Sequence, residues 1–244
     1  VRYLVLADLH ANLQALDAVL ADAATRGYDQ VLVLGDLVGY GADPAAVIDR
    51  TLGLDPAAII RGNHDKVCAG LESPEYFNEV ARQSIEWTAA ALSPAHLAAL
   101  AALPRGPRLV TDAVEICHGA PFDEDYYVFD LADASAAIDA ASARLCLFGH
   151  THVPAVFSTP GDPMQPRGPT DDELVLPDEG PALVNVGSVG QPRDGDPRAA
   201  YGVLDLEART LKLCRVAYDV AGAQARIRAA GLPDRLALRL SKGQ

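Results

Sequence analysis

A chain of 244 residues with 20 basic against 33 acidic side chains has a formal charge of −13, which repels a phosphate backbone and gathers no counterion-release energy. Long nucleic acid is therefore disfavoured as a partner, while a small phosphate ester stays open because bound cations reverse the field locally. Half the residues are apolar and only 6% aromatic, so one large α/β domain over residues 1–244 must build its core mainly from Ala, Val, Leu and Ile.

In chain order, apolar Tyr3–Ala7 reads as a strand. A helical pattern through Leu13, Leu16, Val19, Leu20 and Ala23 then ends at Gly27, and Val31–Leu34 reads as a second strand. Together they form a βαβ unit with parallel strands. A helix follows from Pro44 to Leu52, with Asp43 as its expected cap. Ala58–Arg61 is a third apolar run. From about residue 66 to about 107 the pattern is helical, with Ser93 capping before Pro94, and reads as a lid-like insertion beside the site. Strands resume at Val114–Cys117, Leu145–Phe148 and Leu183–Val186, and Tyr201–Leu206 with Thr210–Val216 forms an antiparallel hairpin. Between about 158 and 181 the crowding of Pro, Gly and acidic residues predicts an irregular loop or ragged hairpin extension.

Pro94 and His96 interrupt the longest Ala- and Leu-rich stretch, so no membrane span is expected. The sequence opens directly into a strand without a leader pattern, from which a cytoplasmic location is expected. Cys68, Cys117, Cys146 and Cys214 show no CxxC spacing and read as reduced core thiols.

Five segments directly follow apolar runs: Asp8-Leu9-His10, Gly35-Asp36-Leu37-Val38-Gly39, Gly62-Asn63-His64-Asp65, His118-Gly119 and Gly149-His150-Thr151-His152. In α/β sheets, loops at the carboxyl ends of strands converge on ligands. Their carboxylate and amide oxygens and imidazole nitrogens, with no thiolate, suit borderline divalent cations: Mn, Fe, Zn, Co or Ni. Alternate residues of an extended segment share a side, which lets Asp8 and His10, and likewise His150 and His152, turn into one cleft. Any one of these strings is ordinary turn chemistry; the ordered five, which hold five of the six histidines, are not.

This ordered set resembles the calcineurin-like metallophosphoesterases, with their D-x-H, G-D-x-x-G, G-N-H-D/E, H and G-H-x-H series, and the likeness covers most of the chain. It is closest to the small bacterial phosphodiesterase branch, partly through Gly187-Ser188-Val189-Gly190 followed by Pro192-Arg193-Asp194-Gly195. The resemblance implies a four-layer αββα sandwich of two mixed β-sheets flanked by helices. It also implies two divalent ions per chain, Mn being the first choice. One would be held by Asp8, His10, Asp36 and His152, the other by Asp36, Asn63, His118 and His150, with Asp36 bridging. Ala11 stands where most members carry Gly, a departure that affects turn shape. Two such ions would lower the pKa of a shared water and make the resulting hydroxide the nucleophile. His64 would be the acid near the leaving group, since an imidazole titrating near its free pKa of about 6.5 suits that task. Asp65 would orient His64, and Arg193 would grip a phosphate oxygen.

The expected activity is hydrolysis of a phosphodiester or phosphomonoester of a small, nucleotide-sized molecule. Dinucleoside-polyphosphate hydrolase, protein phosphatase and a non-catalytic metal-binding sensor are the alternatives. His96 and Trp87 read as surface or packing residues, Asn12 as a helix cap and Asn185 as a buried structural amide; Tyr40 reads more as packing than as pocket lining. Arg193 has a competing reading as a surface partner of Asp194 or Asp196. The motifs leave oligomeric state and native substrate open.

Overall fold

The computed structural model describes residues 1–158, 173–177 and 180–244. The chain opens with β1 (Arg2–Leu6), α1 (Leu13–Arg26) and β2 (Gln30–Val33), and β1 and β2 are parallel. Asn12 starts α1 by accepting from Ala15 N at 3.1 Å, and the buried Leu16, Val19, Leu20 and Ala23 recur at helical spacing until Gly27 ends it at φ 77°. Then come α2 (Pro44–Leu52), the short β3 (Ala58–Ile59) and α3 (Asn63–Cys68). Asp43 does not cap α2. Its carboxylate instead takes Arg226 Nε at 3.0 Å, a loss that Pro44 softens because a proline at the first helical position has no N–H to satisfy.

The helical region expected after residue 66 contains α4 (Glu79–Ala91) and α5 (Pro94–Ala101), with Ser93 capping α5 through His96 N. β4 (Arg108–Thr111), β5 (Val114–Ile116), α6 (Leu131–Ala140), β6 (Leu145–Phe148) and β7 (Ala155–Ser158) follow. Of the irregular loop expected at about 158–181, residues 159–172 and 178–179 lie outside the described residues. Within the remainder, Glu173–Val175 is a strand, β8, paired with the later β11 strand (Thr210–Val216), so that part of the loop reading is corrected. The chain closes with β9 (Ala182–Asn185), β10 (Ala199–Asp205), β11, α7 (Val220–Ala229) and α8 (Asp234–Leu240).

Two sheets result, in the orders β3-β2-β1-β10-β11-β8 and β4-β5-β6-β9-β7. β1, β2 and β3 run parallel in the first sheet, and β5, β6 and β9 run parallel in the second. Side chains alternate between two cores, as a strand period of two requires. Val5, Leu32, Ile116, Leu147 and Val184 fill the space between the sheets. Leu4, Leu6, Val31 and Val33 face α1 through Leu16 and Val19, while Phe148 and Leu183 face α6 through Ala134 and Ala137. That is a four-layer αββα sandwich of two mixed sheets. Truncating one of the inter-sheet leucines to Ala would cost about 2–5 kcal/mol, because close-packed neighbours cannot refill the void. The four cysteines are buried thiols, with Cys117 Sγ and Cys146 Sγ 3.5 Å apart, well beyond a disulfide bond. Among the described residues, no helix is long and apolar enough to cross a membrane.

Candidate metal centre

The parallel strands end on one side of the sandwich, and the sequence-predicted site residues stand just beyond them. Asp8 and His10 follow β1, Asp36 follows β2, Asn63 and His64 open α3 after β3, His118 follows β5, and His150 and His152 follow β6. Main-chain bonds lace the first two loops together: Asp8 N donates to Gly35 O at 3.1 Å, His10 N to Asp36 O at 2.9 Å and Ala11 N to Leu37 O at 2.9 Å. Asp8, His10, Ala11, Asp36, Tyr40, His150 and His152 all adopt positive φ between 46° and 66°. Left-handed backbone costs a side-chain-bearing residue about 1–2 kcal/mol, so the surrounding lattice of hydrogen bonds is what holds these residues in place. Ala11 accepts the conformation that glycine would adopt without strain.

Ligand atoms of Asp8, His10, Asp36 and His152 lie within 4.8 Å of one another, and so do those of Asp36, His118 and His150. Asp36 Oδ2 is 3.5 Å from His10 Nε2 of the first set and 3.5 Å from His118 Nε2 of the second. Its other oxygen, Oδ1, accepts from His64 N at 2.9 Å, which leaves Oδ2 turned to both sets. Asn63 Oδ1 joins the second set, 3.2 Å from His118 Nε2.

Each imidazole is aimed by its other nitrogen. His10 Nδ1 faces Val38 O at 3.0 Å, His152 Nδ1 faces Gln191 O at 2.6 Å, His118 Nδ1 faces Leu34 O at 2.8 Å and His150 Nε2 faces Asp125 O at 3.0 Å. A carbonyl fixes the proton on the nitrogen it faces and leaves a lone pair on the one turned inward. His10 Nε2 and His152 Nε2 thus point at each other across 3.0 Å, and His118 Nε2 and His150 Nδ1 across 3.2 Å. Imidazole nitrogens crowded inward on buried carboxylates are the chemistry that a divalent cation resolves, so the donor set fits two ions.

Without cations, burial pushes Asp8 up to about 7 and holds His10, His150 and His152 well below the ordinary imidazole value. Burial also works against charge on His118 and Asp36. Their mutual attraction outweighs it, raising His118 to about 10 and keeping Asp36 well below the usual carboxylate range. That bound proton is what a cation in the second set would displace.

His64 lies with its ring 4.9 Å from His10, 4.4 Å from Tyr40 and 4.9 Å from Phe77, and its buried Nδ1 has no hydrogen-bond partner. Burial lowers it to about 4, so it is neutral at pH 7 rather than titrating near 6.5 as expected. Asp65 does not reach the imidazole: its oxygens accept from Gly62 N at 3.0 Å and Val38 N at 3.2 Å. It therefore fixes the loop that presents His64 and Asn63, and burial beside Asp36 pushes it up to about 7.

Arg193 is not a partner of its acidic neighbours, since Asp194 pairs with Arg215, and Asp196 with Arg198 at 2.7 Å. Its Nη2 reaches Gln191 Oε1 at 3.1 Å and Tyr40 OH at 3.4 Å, at the edge of the metal-ligand cluster. Tyr40 is the residue that sequence reasoning undervalued. Its ring packs 4.6 Å from His10 as well as against His64, and only its place after Gly39 hinted at it. Tyr127, 3.8 Å from His150 ring to ring, carried no sequence signal. Asn185 is the structural amide expected, donating to Gly149 O at 2.6 Å and Thr151 Oγ1 at 3.0 Å.

The sequence matches the calcineurin-like phosphoesterase superfamily domain over residues 1–209, which leaves α7 and α8 outside the matched stretch. The chain is 36% identical to a metallophosphoesterase from Sphaerobacter thermophilus, with a TM-score of 0.89 and both chains fully covered. It is 33% identical to the uncharacterized protein MJ0912 of Methanocaldococcus jannaschii, over 98% of this chain and 97% of that one. The hypothetical protein PH1004 of Pyrococcus horikoshii shares the fold, with a TM-score of 0.81 at 20% identity, over 100% of this chain and 98% of that one. With its donor residues gathered as that resemblance implies, the chain belongs to the calcineurin-like phosphoesterase superfamily and is a metal-dependent phosphoesterase.

Proposed function

We propose that the chain hydrolyses a phosphodiester or phosphomonoester of a small, nucleotide-sized molecule, using two divalent ions with Mn as the first choice. The observation that carries this reading is Asp36 Oδ2, equidistant at 3.5 Å from an imidazole of each ligand set. Ions held by Asp8, His10, Asp36 and His152, and by Asp36, Asn63, His118 and His150, would neutralise phosphoryl oxygens and lower the pKa of a water. His64 would offer an imidazole N–H to the leaving-group oxygen, positioned by tilted packing against Tyr40 rather than by a carboxylate. Arg193, tied to the His152 loop through Gln191, would hold a non-bridging oxygen through its planar fork.

A small substrate also agrees with the charge of −13, which would repel a polyanionic strand. The flat pair Tyr127–Phe129, parallel within 5° at 5.3 Å beside His150, offers a face to a base or another planar group.

The test is turnover of a phosphodiester and a phosphomonoester chromogen by metal-stripped protein, before and after adding Mn, with bound metal counted. Turnover restored at about two ions per chain is expected. Full metal loading with neither ester cleaved would overturn the hydrolase reading in favour of a metal-binding sensor. His64→Ala should keep its metal and lose most turnover on esters with poor leaving groups; wild-type rates on those esters would remove His64 from the reaction.

A further inference from the structure

The Tyr40 phenol carries two guanidinium groups. Arg193 Cζ lies 5.7 Å and Arg239 Cζ 5.9 Å from the ring centroid. Arg239 comes from α8, outside the stretch shared with the superfamily. Its Nε donates to Gln244 O at 2.6 Å, and among the described residues no Asp or Glu side chain pairs with either guanidinium. Arg193 keeps a buried Nε without a partner. Burial first, and then the like charges of Arg193 and Arg235, pull the Arg239 pKa down.

Two like charges gathered on one ring, neither paired with an Asp or Glu side chain among the described residues, are notable in a chain that has 33 acidic side chains and only 20 basic ones. The basic lining continues outward. A cleft of about 650 Å³ runs past Arg239 to Arg235 and Lys242, and its one carboxylate, Glu79, is already paired with Arg82 and Gln83. On its inner side Tyr40 touches His10 and His64, so a single ring separates Arg239 from the residues around the metal centre.

We propose that Arg239 and Arg193, set on Tyr40, bind a second phosphoryl group of the substrate, so that the natural ester is at least doubly phosphorylated. This rests on the phosphoesterase reading and narrows it. The ester that is cleaved sits at the metal ligands, and the second phosphoryl reaches the guanidinium pair past the Tyr40 ring. Planar forks recognise tetrahedral oxyanions through paired N–H donors, and the terminal nitrogens of Arg239 together with Arg193 Nε are the donors left for one. A carboxylate would fill one fork; a dianionic phosphoryl group matches two.

The probes are para-nitrophenyl diesters of a nucleoside monophosphate, with and without a second phosphoryl group on the sugar's other hydroxyl. They share the scissile bond and leaving group, so their ratio of kcat/KM reads the second group alone. The Mn-loaded protein should prefer the doubly phosphorylated ester by about tenfold or more, and Arg239→Gln should bring the ratio near one. A wild-type ratio near one, or an unchanged ratio in the variant, overturns the proposal. Calorimetry on metal-free protein, comparing a nucleoside bisphosphate with the monophosphate, asks the same question without turnover. Preferential binding that Arg239→Gln removes, with no hydrolysis of either ester, would sustain the anion site and reject the hydrolase. Equal affinities, or binding of neither, would reject the anion site whatever the ester assay gives.

Discussion

His10 Nε2 and His152 Nε2 face each other across 3.0 Å while the other nitrogen of each ring is turned to a main-chain carbonyl. Without a cation the contact sets one lone pair against another, so metal removal should be felt by the whole fold. Saturating Mn at about a hundred times its dissociation constant should add about 2.7 kcal/mol of stability, read as a rise in Tm over the stripped chain. Asp36→Ala takes a ligand from both sets and should abolish metal uptake and the thermal shift together. A full metal count in that variant would refute the bridging role of Asp36.

Gly39 sits at φ 89°, and a Cβ there would come within 2.3 Å of His64 Nδ1. Gly39→Ala must therefore strain the turn and push the imidazole aside, while the described ligand atoms are left in place. We expect metal binding within a few-fold of wild type and turnover down by about 10²–10⁴, the usual worth of a positioned acid or base. Unchanged turnover would mean that His64 does not act where it stands.

Glu124 takes Arg61 in a fork at 2.9 and 3.1 Å and Lys66 at 3.4 Å, joining the α3 segment to the loop after His118. Burial alone would raise its pKa, but the Arg61 fork and Lys66 outweigh that and hold it below its ordinary 4.5. A carboxyl lowered in the folded state stabilises it above the unfolded pKa, and the gain is lost as pH falls through the folded value. Glu124→Gln should therefore cost about 1–3 kcal/mol near neutral pH, with the gap in Tm closing as the pH drops below about 4.5. A gap that stays constant down to pH 3 would exclude the ion pair as its cause.

Tyr127→Ala removes the aromatic face beside His150. KM for a nucleotide ester should rise by about tenfold, in line with about 1–3 kcal/mol for stacking one base, while a small aliphatic phosphate ester is little affected. Equal changes for both esters would argue for a purely structural ring.

Asp8, His10, Asp36, Asn63, His118, His150 and His152 were legible because uncommon donor types recur directly after apolar runs, a coincidence that packing alone does not produce. β1, β2 and the β10–β11 hairpin were legible as apolar, β-branched runs bounded by turn residues. β4, β7 and β8 are short, partly exposed edge strands that owe their form to the strand beside them, so no continuous apolar run marks them. The acidic cap of α6, Asp130 with Asp133, is a readable signal that went unread. Asp65 was paired with His64 on resemblance, yet its oxygens were claimed by the amides of Gly62 and Val38, and only three-dimensional proximity decides such a contest. Tyr40 and Arg239 meet across 199 residues of sequence, beyond the reach of any motif.

Both ligand sets draw on both sheets. Asp8, His10, Asp36 and Asn63 hang from one, and His118, His150 and His152 from the other. The ions would then act as rivets through one end of the sandwich, doing for this chain what a covalent cross-link does elsewhere. Away from them, beside Val114, Leu145 and Arg209, the layers meet around a cavity of about 210 Å³, where Arg144 Nη2 donates to Pro177 O at 3.3 Å. Chelation should loosen the working end to what its own bonds supply, such as His150 N to the Asp8 carboxylate at 3.1 Å, so the molecule's mechanical state and its capacity for chemistry would be set by the same ions.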